Sequence, residues 1–125
     1  MRLFTDSFVN EWAGRLVNIH PSLLPSFKGL HTHERALDAG VRFTGCTVHF
    51  VRSEMDDGPV ILQAAVPILP DDDADSLAAR VLEQEHIIYP LAVDMIASGR
   101  VLVENNQVKI KDAGLPDAPI INPSG

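Results

Sequence analysis

Two prolines settle what the first clear apolar run of this chain can become. Leu16-Val17-Asn18-Ile19-His20 is followed at once by Pro21, and Pro25 comes four residues later. Proline fixes its own φ, has no N–H to donate, and pushes the residue before it into extended conformations. Residues 16–20 are therefore predicted to form a short buried strand that stops at His20. Residues 20–30, HPSLLPSFKGL, are predicted to be a loop too restricted to serve as a flexible linker.

The rest of the chain divides in the same way. Thr32 is predicted to cap a short helix that runs to Ala39, with Gly40 as the residue that ends it. CTVHFV (46–51) is rich in β-formers, RSEMDDGP (52–59) is turn chemistry, and VILQAAVPI (60–68) reads as a second strand paired with the first. LPDDDADS (69–76) offers acidic residues to a helix start. A helix is predicted from about Ser76 to Ser98, with Gly99 after it. Leu77, Val81, Ile88, Ala92 and Met95 mark its buried face, and Pro90 inside it should bend it. Residues 101–110 read as a hairpin around Asn105-Asn106, and residues 113–125 as a loose, proline-rich tail. There are no repeats and no low-complexity runs. The whole is an α/β chain of one domain's length, 125 residues.

Charge and composition exclude several functions. A net charge of -7 and a pI near 5.0 argue against nucleic-acid binding, which needs a basic surface, and against anchoring to anionic lipid. No stretch approaches the roughly 20 apolar residues of a membrane span. MRLFTDSFVN, with one positive charge and no long apolar core, does not read as a signal peptide. The single Cys46 can form neither an internal disulfide nor a cysteine metal site, so a cytoplasmic setting is expected.

Side chains alternate faces along a strand, so Asn18 and His20 share one. They stand at the strand's end, where open α/β sheets place their ligands. An amide N–H donor and an imidazole aimed at one point suit an oxyanion forming on a carbonyl carbon. The alternative is that Asn18 bonds a backbone group and His20 is a satisfied, half-buried histidine. Asp56 and Asp57 read either as turn residues before Gly58 or as a carboxylate that orients an imidazole. Glu85 falls on the apolar face of the long helix, between Val81 and Ile88. Such a carboxylate needs a partner or a ligand, for which sugar hydroxyls, a salt bridge and the edge of the stripe are all open. His20, His31, His33 and His49 do not form a recognisable zinc pattern, and no metal is expected. Cys46 reads as a small core residue, and Trp12 and the other aromatics are too few for a base-stacking platform.

Three separated blocks carry a resemblance: NIHPSLLPSFKGLHTH (18–33), GCTVHFVRSEMDDGPVILQ (45–63) and ARVLEQEHIIYP (79–90). In order and spacing, from Met1 to about Ile110, they resemble the phosphoribosylglycinamide formyltransferase family of purine synthesis. The resemblance implies the C-terminal half of a formyltransferase (Rossmann-like) fold, a mixed sheet with flanking helices over residues 1–111 and a tail over 112–125. It implies formyl transfer from 10-formyltetrahydrofolate to the amine of glycinamide ribonucleotide, without a metal. The family's catalytic trio maps onto Asn18, His20 and Asp56. Arg2, Phe4 and Val9 match its folate pocket, with Glu54, Met55 and Asp56 on the loop opposite. Pro21 and Glu85 match substrate contacts, Glu85 with the ribose, while a position that is often Gln in the family is Leu82 here.

Related families resemble the chain less. Formyltetrahydrofolate deformylase shares the Asn-Ile-His and Asp-x-Gly-Pro elements, but its first block runs NIHHSFLP and lacks Gly-Leu-His-Thr-His. Methionyl-tRNA formyltransferase shares the trio and carries a further tRNA-binding domain. Nothing in this sequence resembles the Gly-x-Gly-Ser-Asn loop with which the family grips the substrate phosphate. The expected partner is thus an N-terminal half, whose parallel strands would flank residues 16–20, or a second copy. A folate-binding fragment or a subunit of a split enzyme is the non-catalytic alternative.

Overall fold

The computed structural model describes residues 16–52 and 58–125. Strand β1 spans Val17–His20 and ends where Pro21 requires it to. Helix α1 spans Thr32–Ala39, strand β2 Phe43–Phe50 and strand β3 Val60–Pro67. The long helix α2 spans Ala74–Ala97 and continues through Pro90. Strands β4, Val101–Glu104, and β5, Gln107–Ile110, close the order.

The three long-range strands form one sheet in the order β1-β2-β3, and the last two form a separate ribbon. Both pairings in the sheet are antiparallel. No parallel neighbour of β1 lies among the described residues. The register places Val17 opposite Phe50 and Ile19 opposite Val48, and Val48 opposite Leu62. Alternation sends these apolar residues to one face, together with Cys46 and Val66. There they meet Leu77, Val81, Ile88 and Ala92 of α2. Val48, Leu77 and Val81 are fully buried. Each such aliphatic side chain contributes about 1.5–3 kcal/mol relative to exposure, so this contact is what holds α2 on the sheet. The opposite face carries Asn18 and His20 of β1, Thr47 and His49 of β2, and Gln63 of β3.

Local chemistry explains the element ends. α2 begins two residues before its expected start because Asp73, not Ser76, is the cap. The Asp73 carboxylate accepts from the Ser76 amide at 2.8 Å, and the Ser76 hydroxyl accepts from the Asp73 amide at 3.1 Å. Arg80, one turn further on, donates to both oxygens of Asp72 at 2.5 and 2.6 Å and to the Pro67 carbonyl. It ties the helix start to the end of β3. At α1 the cap expectation fails. His31 occupies the cap position in a left-handed conformation with no side-chain capping bond, and the Thr32 hydroxyl instead donates to the Pro21 carbonyl at 2.8 Å. Thr32 is buried, so its hydroxyl takes the nearest acceptor inside the fold. Asn105 and Asn106 both have positive φ, 52° and 62°, the pattern of a tight hairpin turn. Asn122 in the C-terminal segment donates to the Arg42 and Ile68 carbonyls, which pins that segment beside the β2–β3 pair. No helix among the described residues is long and apolar enough to cross a membrane.

Candidate active site at the end of the first strand

The polar face of the sheet is held together by one hydroxyl. Thr47 Oγ1 donates to the Ser22 carbonyl at 2.7 Å and accepts from the Leu24 amide at 3.1 Å and from Gln63 Nε2 at 3.0 Å. Gln63 Nε2 also donates to the Leu24 carbonyl at 3.0 Å. Thr47 is fully buried, and all of these groups are satisfied together. The first residues of the loop after β1 are thereby fastened to the two neighbouring strands. Sequence reading missed this network. Its signal was the alternation of Thr47, His49 and Gln63 with apolar residues in two strands that otherwise look uniformly buried.

His20 lies directly opposite Thr47 in the register and is 7% exposed. A carbonyl can only accept, so His20 Nε2 carries a proton and donates it to the Phe27 carbonyl at 3.0 Å. The ring is thus oriented by the loop that follows its own strand. Phe27 makes this contact from a left-handed backbone, φ 53°, which costs a non-glycine residue about 1–2 kcal/mol. Asn18 is exposed, and its Oδ1 accepts from the Ile19 amide at 2.9 Å. That bond turns the oxygen to the backbone and leaves Nδ2–H2 as the outward donor. Each side chain of the pair thus bonds a backbone group.

His49 stands opposite Asn18 and is 3% exposed. Its Nδ1 donates to the Phe50 carbonyl at 2.9 Å, and its Nε2 has no hydrogen-bond partner. It was considered above only as a metal ligand. Among the described residues no group of three His, Cys, Asp or Glu side chains could hold a metal ion. Next to His49 the Phe50 amide donates to the Pro59 carbonyl at 3.0 Å, and the Val51 amide to Leu16 at 2.8 Å. These bonds tie Phe50 to Pro59 and Val51 to the residue before β1. Asp56 itself, with Glu54 and Met55, and the folate-pocket candidates Arg2, Phe4 and Val9 lie outside the described residues.

Glu85 and Pro21 are both half-buried. Burial pushes the Glu85 carboxyl above its ordinary pKa, against the opposing pull of His86 and His20. The structure thus brings Glu85 within electrostatic reach of His20, which sequence spacing could not show. Glu85 also helps burial push the Cys46 thiol up to about 11. The folded state binds the Glu85 proton more tightly than the unfolded chain does. Its contribution to stability is therefore largest at low pH and is lost as pH rises through the shifted pKa. Glu85→Gln is expected to be more stable than the parent at pH 7, by up to about 1 kcal/mol for a charge still partly in contact with water. The gap should close toward pH 4, where both side chains are neutral. Thermal melts across this range test it, and a gap independent of pH would assign the effect to packing instead.

An exposed amide and an oriented imidazole thus stand at one strand end, and a half-buried carboxylate stands on α2. Residues 1–93 match the formyl transferase family model. The chain belongs to that family. It is 50% identical over 116 residues to phosphoribosylglycinamide formyltransferase of Escherichia coli, a match covering 93% of this chain and 55% of that protein. The crystal structure of phosphoribosylglycinamide formyltransferase from Anaplasma phagocytophilum superposes with a TM-score of 0.87 at 46% identity, over 92% of this chain and 57% of that one. A formyltetrahydrofolate deformylase from Pseudomonas syringae is more distant, with 30% identity and a TM-score of 0.85 over 90% of this chain and 38% of the other. The chain thus spans a little over half the length of these two formyltransferases.

Proposed function

We propose that this chain carries the formyl-transfer centre of a phosphoribosylglycinamide formyltransferase. The observation that carries the reading is His20, buried and fixed by Phe27 on the same strand face as Asn18, in a chain half identical to such an enzyme. The amine of glycinamide ribonucleotide attacks the formyl carbon of 10-formyltetrahydrofolate. A new N–C bond forms, and the carbonyl oxygen takes up negative charge in a tetrahedral intermediate. Asn18 Nδ2–H2 and the His20 imidazole stabilise that oxygen. The bond to the folate nitrogen then breaks, and the proton lost by the amine passes through water held by Asp56 to that nitrogen. Asp56 also orients His20. Arg2, Phe4 and Val9, with residues 54–56, form the folate side of the centre, and Pro21 and Glu85 the ribonucleotide side. Glu85 offers its oxygens to the ribose hydroxyls, a use that accounts for a carboxylate kept on an otherwise apolar helix face. No metal takes part. The grip on the substrate phosphate comes from further polypeptide of the complete enzyme.

Transfer and deformylation are separated by one assay. Loss of 10-formyltetrahydrofolate that depends on glycinamide ribonucleotide supports the reading, whereas release of formate without the ribonucleotide assigns the deformylase reaction. The same assay tests the carboxylate. Asp56→Asn in the complete enzyme is expected to lower kcat by about a hundredfold or more, the scale of a lost proton-transfer group. Asp57→Asn should leave it within a few-fold of the parent. If Asp57→Asn loses more activity than Asp56→Asn, the trio has been placed one residue off.

A further inference from the structure

The loop that orients His20 is itself held from outside by one arginine. Arg35, in α1, donates through Nη1 to the Lys28 carbonyl at 2.5 Å and to the Leu30 carbonyl at 3.0 Å. Its guanidinium also lies over the Phe27 ring, 5.6 Å from the centroid. Between these contacts the backbone is unusual: Phe27, Gly29 and His31 all have positive φ, at 53°, 86° and 57°. Two of the three are not glycine, so the segment does not favour this path by itself. A planar guanidinium presents several N–H donors in a fixed fork and can hold two carbonyls and a ring at once. The carbonyl at the start of the clamped stretch is that of Phe27, which accepts from His20 Nε2.

We infer that Arg35 is a positioning residue for His20, acting through the Phe27–Leu30 segment. Arg35 is exposed and far in sequence from β1, and nothing in its spacing or hydropathy marks it. Its effect runs in one direction: the guanidinium fixes Lys28 and Leu30, these fix the left-handed Phe27, and the Phe27 carbonyl fixes the imidazole. The catalytic meaning of the chain of contacts rests on the role proposed for His20, but the contacts can be tested without it.

The test follows the His20 Nε2 proton by nitrogen-edited NMR in the complete, isotopically labelled protein. In the parent this proton is expected to exchange slowly with water, because it is held on Phe27. Arg35→Ala should speed its exchange by about tenfold or more, since a loosened acceptor releases the proton in proportion to its open population. Glu34→Ala, which removes the neighbouring His31–Glu34 hydrogen bond at the same helix start, should leave the rate at the parent value. An Arg35→Ala rate equal to the parent's overturns the inference. So does equal acceleration by Glu34→Ala, which would mean general fraying of α1. Should Arg35→Ala not fold, Arg35→Lys carries the same readout, because an ammonium keeps the charge but cannot span both carbonyls. In the formyl-transfer assay Arg35→Ala should lower kcat several-fold with KM unchanged. Faster exchange with unchanged kcat overturns the positioning role, whereas failure of the His20 reading shows separately in the kinetics of His20→Ala.

Discussion

Replacing His20 with alanine is expected to lower kcat at least about a hundredfold in the complete enzyme, the usual result of losing a group that meets charge in the transition state. The side chain is buried, oriented by the Phe27 carbonyl, and placed on the face it shares with Asn18. Removing it takes away the imidazole and leaves the Phe27 carbonyl without its donor. Some stability will be lost as well, about 1–3 kcal/mol for an unpaired buried acceptor. The two effects separate in the kinetics. A purely structural loss reduces the amount of active enzyme, and it is corrected by titrating folded protein. The catalytic loss persists per folded molecule. A folded His20→Ala protein within threefold of the parent, assayed with both substrates, removes His20 from the mechanism.

A large effect on folding should come from Gly45→Ala. Gly45 pairs with Ala65 across the β2–β3 ladder. A Cβ there would lie 1.9 Å from the Ala64 carbonyl oxygen and 2.9 Å from Leu23 Cδ2. The carbonyl belongs to a strand backbone and cannot turn aside without breaking the ladder. The expected cost is about 3 kcal/mol, the upper end of the range for overpacking, read from denaturant unfolding. Gly40→Ala is the control. It has nothing within 4 Å of the added carbon but sits at φ 71°. It should lose only about 1 kcal/mol, the cost of a side chain in the left-handed region. If Gly40→Ala proves the worse of the two, steric contact at Gly45 is not what demands glycine.

Much of the fold was legible because its signals are local. Pro21 ended β1 where proline must, Asn105-Asn106 marked the hairpin, and the stripe Leu77, Val81, Ile88, Ala92 is the buried face of α2. The three blocks from Asn18 to Pro90 pointed to the formyl transferase family in which the chain is found. The departures are where a tertiary partner outbid a local one. Thr32 had the right chemistry to cap α1, but burial gave its hydroxyl to Pro21. Ser76 looks like the start of α2, but Asp73 and Ser76 cap each other, and the helix begins between them at Ala74. In the site, Asn18 and His20 were visible as a strand-end pair, whereas the Thr47–Gln63 network and the Arg35 clamp were not. Each joins residues far apart in sequence through backbone carbonyls, and a carbonyl leaves no trace in the choice of amino acid. Glu85 was conspicuous as a charge on an apolar face, yet only the packing of α2 on the sheet brought it near His20.

The position of Cys46 has a practical consequence. Its thiol is fully buried on the core face of the central strand, and with its pKa held near 11 almost none of it is thiolate at neutral pH. Thiolate is the form that alkylating reagents attack. Since this is the only cysteine in the sequence, modification of the folded protein can begin only when β2 is exposed to solvent and the thiol regains its ordinary acidity. The protein therefore carries a built-in clock at its centre. The rate at which a small alkylating reagent consumes it counts openings of the central strand, one molecule at a time, without any added label.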